Sequence, residues 1–205
     1  MLKRWMILVA ITATLPMFAG TYSVSIDTSL IAGQHGSLFF FFDGGSSSFD
    51  PATAAIQGFT GGTLDAGTLP ANLLLTNSPP ALYQQGITYG SFIHFILELG
   101  GPAVNSPNPA AGSGSDLSLF LLDGTDSPLL TDDPNGSILD ASIAAGTGHV
   151  SFTTFTNNGG PSVLSVTPEP GSALLLLSGM ALLGLRFRRR SFAATPRQGG
   201  ASHRV

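Results

Sequence analysis

Apolar residues recur at every second position through the middle of the chain. Ile93, Phe95, Leu97 and Leu99 alternate with Phe92, His94, Ile96 and Glu98, and Leu117, Leu119 and Leu121 with Asp116, Ser118, Phe120 and Leu122. Tyr22, Val24 and Ile26 alternate with Thr21, Ser23, Ser25 and Asp27, and Val150 and Phe152 with Ser151 and Thr153. A period of two puts each apolar set on one face of an extended strand, whereas a helix needs a period near 3.6. Turn-forming pairs separate the runs: Ala32-Gly33, Gly61-Gly62, Ser78-Pro79-Pro80, Asp123-Gly124, Pro134-Asn135-Gly136 and Asn157-Asn158-Gly159-Gly160. No convincing helical stretch lies between them. The spacing predicts strands over 21–27, 37–43, 54–60, 72–76, 87–99 (with a break near Gly90), 116–123, 128–131, 137–143, 149–156 and 162–166. The fold class is therefore all-β, an antiparallel β-sandwich, with the jelly roll as a candidate form. Residues 38–42 are apolar at every position and read as a central strand buried on both faces; left exposed, they would be prone to aggregate. Residues 103–115, rich in Pro, Gly, Asn and Ser, read as a long surface loop.

Charge is distributed as unevenly as hydropathy. All eight Lys and Arg (Lys3, Arg4, Arg186, Arg188, Arg189, Arg190, Arg197, Arg204) lie outside 20–167. Eleven of the twelve acidic residues lie inside it, so the formal net charge of −4 hides a far more acidic middle region. Nucleic acid is excluded as a partner, because phosphate contacts need Lys or Arg. Lys and Arg salt bridges cannot contribute to the fold of this region, and its acidity favours solubility and cations. The chain has no cysteine, which excludes a disulfide framework and thiolate chemistry.

The two ends read as targeting segments. Lys3 and Arg4 precede an apolar run over 6–15, Pro16 breaks it, and Met17-Phe18-Ala19-Gly20 offers small residues for cleavage. This is the pattern of a secretory signal peptide over 1–19, handled by the Sec translocon and signal peptidase. Cleavage is expected after Ala19, with Ser23 as the alternative. At the other end, Thr167-Pro168-Glu169-Pro170 leads into an uncharged apolar run over 171–185, followed by Arg186, Arg188, Arg189 and Arg190. As a helix that run would reach about 22 Å, short for a bilayer core of about 30 Å but accommodated by thinning and by snorkelling arginines. The positive-inside rule places the arginine end in the cytoplasm and everything before the run outside the inner membrane. The alternative, a buried helix of a soluble domain, suits an abutting arginine cluster less well.

The order Pro-Glu-Pro, apolar segment, arginine cluster resembles the PEP-CTERM sorting signal of exported bacterial proteins. The resemblance covers 167–190: Pro168, Glu169 and Pro170 match the motif, 171–185 the membrane segment, and Arg186 and Arg188 to Arg190 the basic end. It implies processing near Pro-Glu-Pro by an exosortase, a membrane cysteine protease-transpeptidase. It also implies delivery to the cell surface or an exopolysaccharide (biofilm) matrix. Family members end soon after the arginines; here 191–205 follow and are expected to form a disordered cytoplasmic tail. Residues 20–166, with Thr21-Tyr22-Ser23-Val24, the Phe-rich run and Pro128-Leu129-Leu130-Thr131-Asp132, also look like a family of small exported β-domains with no assigned activity.

Catalytic motifs are missing from this region. It holds no Gly-x-Ser-x-Gly, no phosphate-binding Gly-x-x-x-x-Gly-Lys and no His-Glu-x-x-His. His35, His94 and His149 stand far apart without a metal-spaced neighbour, and His94 and Glu98 are about 13 Å apart along one strand. Glu98 is the only Glu before Glu169, too few for a glycosidase pair. Asp123 with Asp126, and Asp132 with Asp133, could each offer oxygens to Ca²⁺. Neither pair has EF-hand spacing, both sequences are ordinary turns, and a short strand through Leu129-Leu130 would hold them apart. The expected function is a non-enzymatic surface or matrix protein with no cofactor. The alternative is a carbohydrate-binding module, Ca²⁺-supported, using Tyr83, Tyr89 and Phe92 on extracellular polysaccharide; core packing is the competing use of each ring. A matrix hydrolase relying on Glu98 is the remaining reading.

Overall fold

Period-two alternation becomes two sheets closed over one apolar layer. The computed structural model describes residues 20–45, 48–65, 69, 72–157 and 163–168. The chain divides into Met1–Pro168 and Glu169–Val205, and only the first unit contains described residues. The segments read as signal peptide, apolar run, arginine cluster and tail lie outside them. Among the described residues, no helix is long and apolar enough to cross a membrane.

The strands are β1 (Gly20–Asp27), β2 (His35–Asp43), β3 (Thr53–Thr60), β4 (Thr63–Leu64), β5 (Asn72–Thr76), β6 (Ala81–Thr88), β7 (Phe92–Gly100), β8 (Ser115–Asp123), β9 (Leu139–Ile143), β10 (Val150–Thr154) and β11 (Leu164–Pro168). The first sheet runs β11-β1-β7-β3-β5 and the second β10-β9-β8-β2-β6-β4. Every pairing is antiparallel. The chain changes sheet at each connection from β1 to β8, and only β8, β9 and β10 follow one another in one sheet. Such crossings knit the sheets into a sandwich.

The inner faces are the alternating sets. Val24, Ile26, Ile93, Phe95, Leu97 and Leu99 meet Leu38, Phe40, Phe42, Leu117, Leu119 and Leu121 in one buried cluster. Phe40 of β2 and Phe95 of β7 touch edge-on across the layer, centroids 5.9 Å apart. Burying a side chain of this kind contributes about 1.5–3 kcal/mol, so this layer carries most of the stability.

Four expectations need correction and one is refined. The Phe-rich strand is central in its sheet, but only Leu38, Phe40 and Phe42 enter the core; Phe39 and Phe41 are half-buried on the outer face. The break expected near Gly90 within 87–99 is present, and it separates two strands that lie in different sheets, β6 and β7. Residues 128–131 form no strand: Pro128 makes one isolated bridge to Leu122, and Leu130 is held at φ 57°. The 103–115 loop is preceded by and overlaps a single helical turn, α1 (Pro102–Asn105). The last strand runs two residues later than expected, through Thr167 to Pro168.

Candidate functional site

The first element to build is the corner where both chain ends leave the sandwich. Among the described residues β11 lies at the edge of the first sheet and pairs only with β1, in the register Ile26↔Leu164, Ser25↔Ser165, Val24↔Val166, Ser23↔Thr167, Tyr22↔Pro168. The Asp27 N–H donates to the Val163 carbonyl at 2.7 Å. Alternation along an antiparallel ladder then makes Ser25/Ser165 and Ser23/Thr167 the hydrogen-bonded pairs. Pro168 falls at a non-bonded position, where its missing N–H costs the ladder nothing. Leu164 is buried, and Val166 packs against the core from the edge. On its other side β1 pairs with β7, from Gly20↔Leu99 to Asp27↔Phe92. Tyr22 meets Phe152 of β10 edge-on at 4.5 Å, tying the corner to the second sheet, and partial burial raises its phenol pKa. Gly20 and Pro168 therefore emerge side by side. Of the predicted sorting residues, Pro168 is an edge-strand residue; Glu169, Pro170, Arg186, Arg188, Arg189 and Arg190 lie outside the described residues.

Of the carboxylates weighed as Ca²⁺ ligands, Asp123 and Asp133 stitch their own loops, and Asp126 and Asp132 tie theirs to distant segments. Asp123 Oδ1 accepts from the backbone N–H of Ser127 (2.9 Å), from the Thr125 hydroxyl and from the Thr125 N–H (2.7 Å), and these donors, Ser127 first, hold its carboxyl below the usual range. Asp126, at φ 62°, accepts from Gln84 Nε2. Asp132 accepts from the Thr156 N–H and hydroxyl, and Asp133 from the N–H and hydroxyl of Ser137. The two pairs are separated by the irregular 127–131 segment, not by a strand. Among the described residues no group of three or more His, Asp or Glu is placed to hold a metal ion.

The remaining polar candidates are dispersed. His94 shares a hydrogen bond with Ser25 (3.1 Å), and Glu98 accepts from Gln57 (3.3 Å), both on the outer face of the first sheet. His35 Nε2 meets Asp65 Oδ2 at 2.7 Å on the surface, an ion pair whenever the imidazole is protonated. Sequence spacing hid this pair, because the two residues are 30 positions apart and meet only through β2, β6 and β4.

The three aromatics proposed for carbohydrate do not share a surface. Tyr89 is 2% exposed, and its hydroxyl is inserted beside β2 and β8, bonded to the Ser37 and Leu122 carbonyls and accepting from the Leu122 N–H. Tyr83 packs against the core, and Phe92, 55% exposed, projects from the first sheet. A different set converges on the outer face of the second sheet. Phe39 and Phe120 are cross-strand partners with ring centroids 5.3 Å apart; Phe41 follows on β2, opposite Leu82, which is 64% exposed. Gln84, opposite Phe39, and Ser118, opposite Phe41, add polar groups to this face. The signal was present in the Phe-rich run, once one face of it is known to point outward.

Residues 166–190 match the family described as the PEP-CTERM protein-sorting motif. No curated protein and no solved structure matches the chain.

Proposed function

We propose that this chain, which carries the PEP-CTERM protein-sorting motif at residues 166–190, is an exosortase substrate whose β-sandwich works without catalysis at the cell surface or in an exopolysaccharide matrix. The motif marks an exported, membrane-anchored precursor destined for the surface. The observation carrying the reading is the motif's position: it starts within the last strand of the sandwich, so the domain and its sorting signal are contiguous. The Sec translocon, signal peptidase and inner membrane complete the route. The non-catalytic part is supported by how the polar candidates are used: Asp123 and Asp133 hold turns, Asp132 ties its loop to Thr156, Glu98 is bonded to Gln57, and His94 to Ser25. The test is the intact mass of the protein recovered from its exporting host. A mature chain lacking 171–190 supports sorting and processing; one retaining Arg186 to Arg190 refutes it in favour of a plain anchor.

A second reading has its own observation. The outer face bearing Phe39, Phe41, Phe120 and Leu82, with Gln84 and Ser118 beside them, supports binding of a neutral polysaccharide. Rings supply apolar faces for sugar C–H groups, and the lack of Lys and Arg over 20–167 disfavours an anionic glycan. Ca²⁺ would act through the acidic loops at Asp123, Asp126, Asp132 and Asp133. Co-sedimentation with insoluble neutral glucan, lost in Phe39→Ala/Phe120→Ala, supports this reading. No co-sedimentation, with a melting temperature unchanged by excess Ca²⁺, removes it.

A further inference from the structure

The sorting match and the folded domain overlap at residues 166–168, the end of β11. An enzyme that grips a peptide as an extended chain uses the backbone groups that a sheet also uses. Along β11 the groups facing β1 are already committed, and the side chains of Leu164 and Val166 are seated on the core. Detaching β11 would uncover Val24 and Ile26, both fully buried, and turn β1 into the new sheet edge. β1 is also the strand that follows directly on the predicted signal cleavage point, so the N-terminal strand of the domain would be left held on one side only, by β7. An open row of backbone groups there would invite association with other chains. Pro168 is suited to the last paired position: it needs no donor toward β1, and it offers none to a strand approaching from outside.

We propose that β11 stays docked during processing and sets its inner limit: the exosortase acts on the folded sandwich, cuts beyond Pro168, and leaves 164–168 in the mature domain. Tyr22, opposite Pro168 and braced by Phe152, is the positioning residue of this stop. The inference rests on the sorting reading above and adds the state of the substrate and the side of Pro168 on which the cut falls.

The test is a lock. The chain has no cysteine, and Ser25 and Ser165 are outward-facing partners outside the matched segment. Ser25→Cys/Ser165→Cys would cross-link β11 to β1 in the oxidising periplasm, at a separation that suits a disulfide. The full-length variant is produced beside the natural chain in the exporting host, and precursor and mature forms are weighed. The expected result is the same proportion of mature chain in both, with every mature C-terminus at or beyond Pro168. Accumulation of locked precursor, relieved by adding a reductant, overturns the proposal, as does a natural mature chain ending before Pro168. Should the cysteine pair not fold, the C-terminus of the natural chain decides alone. If the natural chain is not processed at all, the sorting reading itself falls, an outcome distinct from failure of the lock.

Discussion

Replacing Tyr89 by Phe removes one oxygen and leaves the ring in place. That oxygen receives the Leu122 N–H at 3.1 Å and donates toward the Ser37 and Leu122 carbonyls at 2.8 and 2.9 Å, with the side chain almost wholly buried. Gly36 leaves the room for it: a Cβ there would stand 2.0 Å from the Leu122 carbonyl oxygen and 2.9 Å from the Tyr89 ring. In Tyr89→Phe the Leu122 N–H loses its acceptor in a place closed to water, which costs about 1–3 kcal/mol, and the lost donor bond about 1 kcal/mol more. The sum, about 2–4 kcal/mol, is a large share of a typical domain's stability and corresponds to about 4–16 °C in Tm for a domain of this size. Urea denaturation of the mature domain reads it directly, with Tyr83→Phe as the control. The Tyr83 hydroxyl reaches only Gln85 Oε1, at 3.2 Å, in a partly exposed place, and its loss should cost under about 0.5 kcal/mol. The pH dependence provides a second readout. Burial pushes the Tyr89 phenol well above its ordinary 10.0. The folded state therefore keeps a proton that the unfolded chain releases, and stability falls as pH rises above about 10 toward the folded value. Tyr89→Phe should flatten that alkaline loss. Equal stability of the two Tyr→Phe variants, or an unchanged alkaline slope, would refute the assignment of Tyr89 as the structural peg between β2 and β8.

Three further outcomes follow from the same geometry. Asn77, fully buried, receives the Ala52 N–H and donates to the Asp50 carbonyl and the Ser115 hydroxyl, each at 2.8 Å; Asn77→Ala should cost about 3 kcal/mol by urea melting, through unpaired buried groups. Asp123, held below its ordinary value of 3.8 by the Ser127 and Thr125 donors, contributes stability that is present above that value and lost as pH falls through the lower folded value; an acid titration of Asp123→Asn followed by circular dichroism should lack this component. The mature N-terminus, read by mass spectrometry, should begin at Gly20 rather than after Ser23, because the longer cut would remove Tyr22 and its contacts with Phe152, Leu97 and Pro168.

What the sequence determined by itself was whatever is local. Alternation marked β1, β7, β8 and β10, since a strand with one buried face writes its period into the chain, while β2 was legible as an apolar run bounded by turn residues. The sorting signal was equally legible, being a linear order of Pro-Glu-Pro, apolar run and arginines, read without reference to a fold. β6 was hidden, apart from its last two residues, because Gln84 and Gln85 put an amide on each face of a strand next to a two-residue edge, so no clean period survives. Leu129 and Leu130 looked like strand residues but are held in an irregular segment that bonds to β8 through the Leu129 N–H and the Leu121 carbonyl. Only the tertiary structure decided which face of the Phe-rich strand turned outward, that His35 and Asp65 pair, and that Tyr89 is a core peg rather than a surface platform. It also decided that Pro168 belongs to the sandwich as well as to its sorting signal. Each of these depends on which strands lie next to each other, and adjacency between distant segments is set by the joint packing of both sheets rather than by any one stretch of chain.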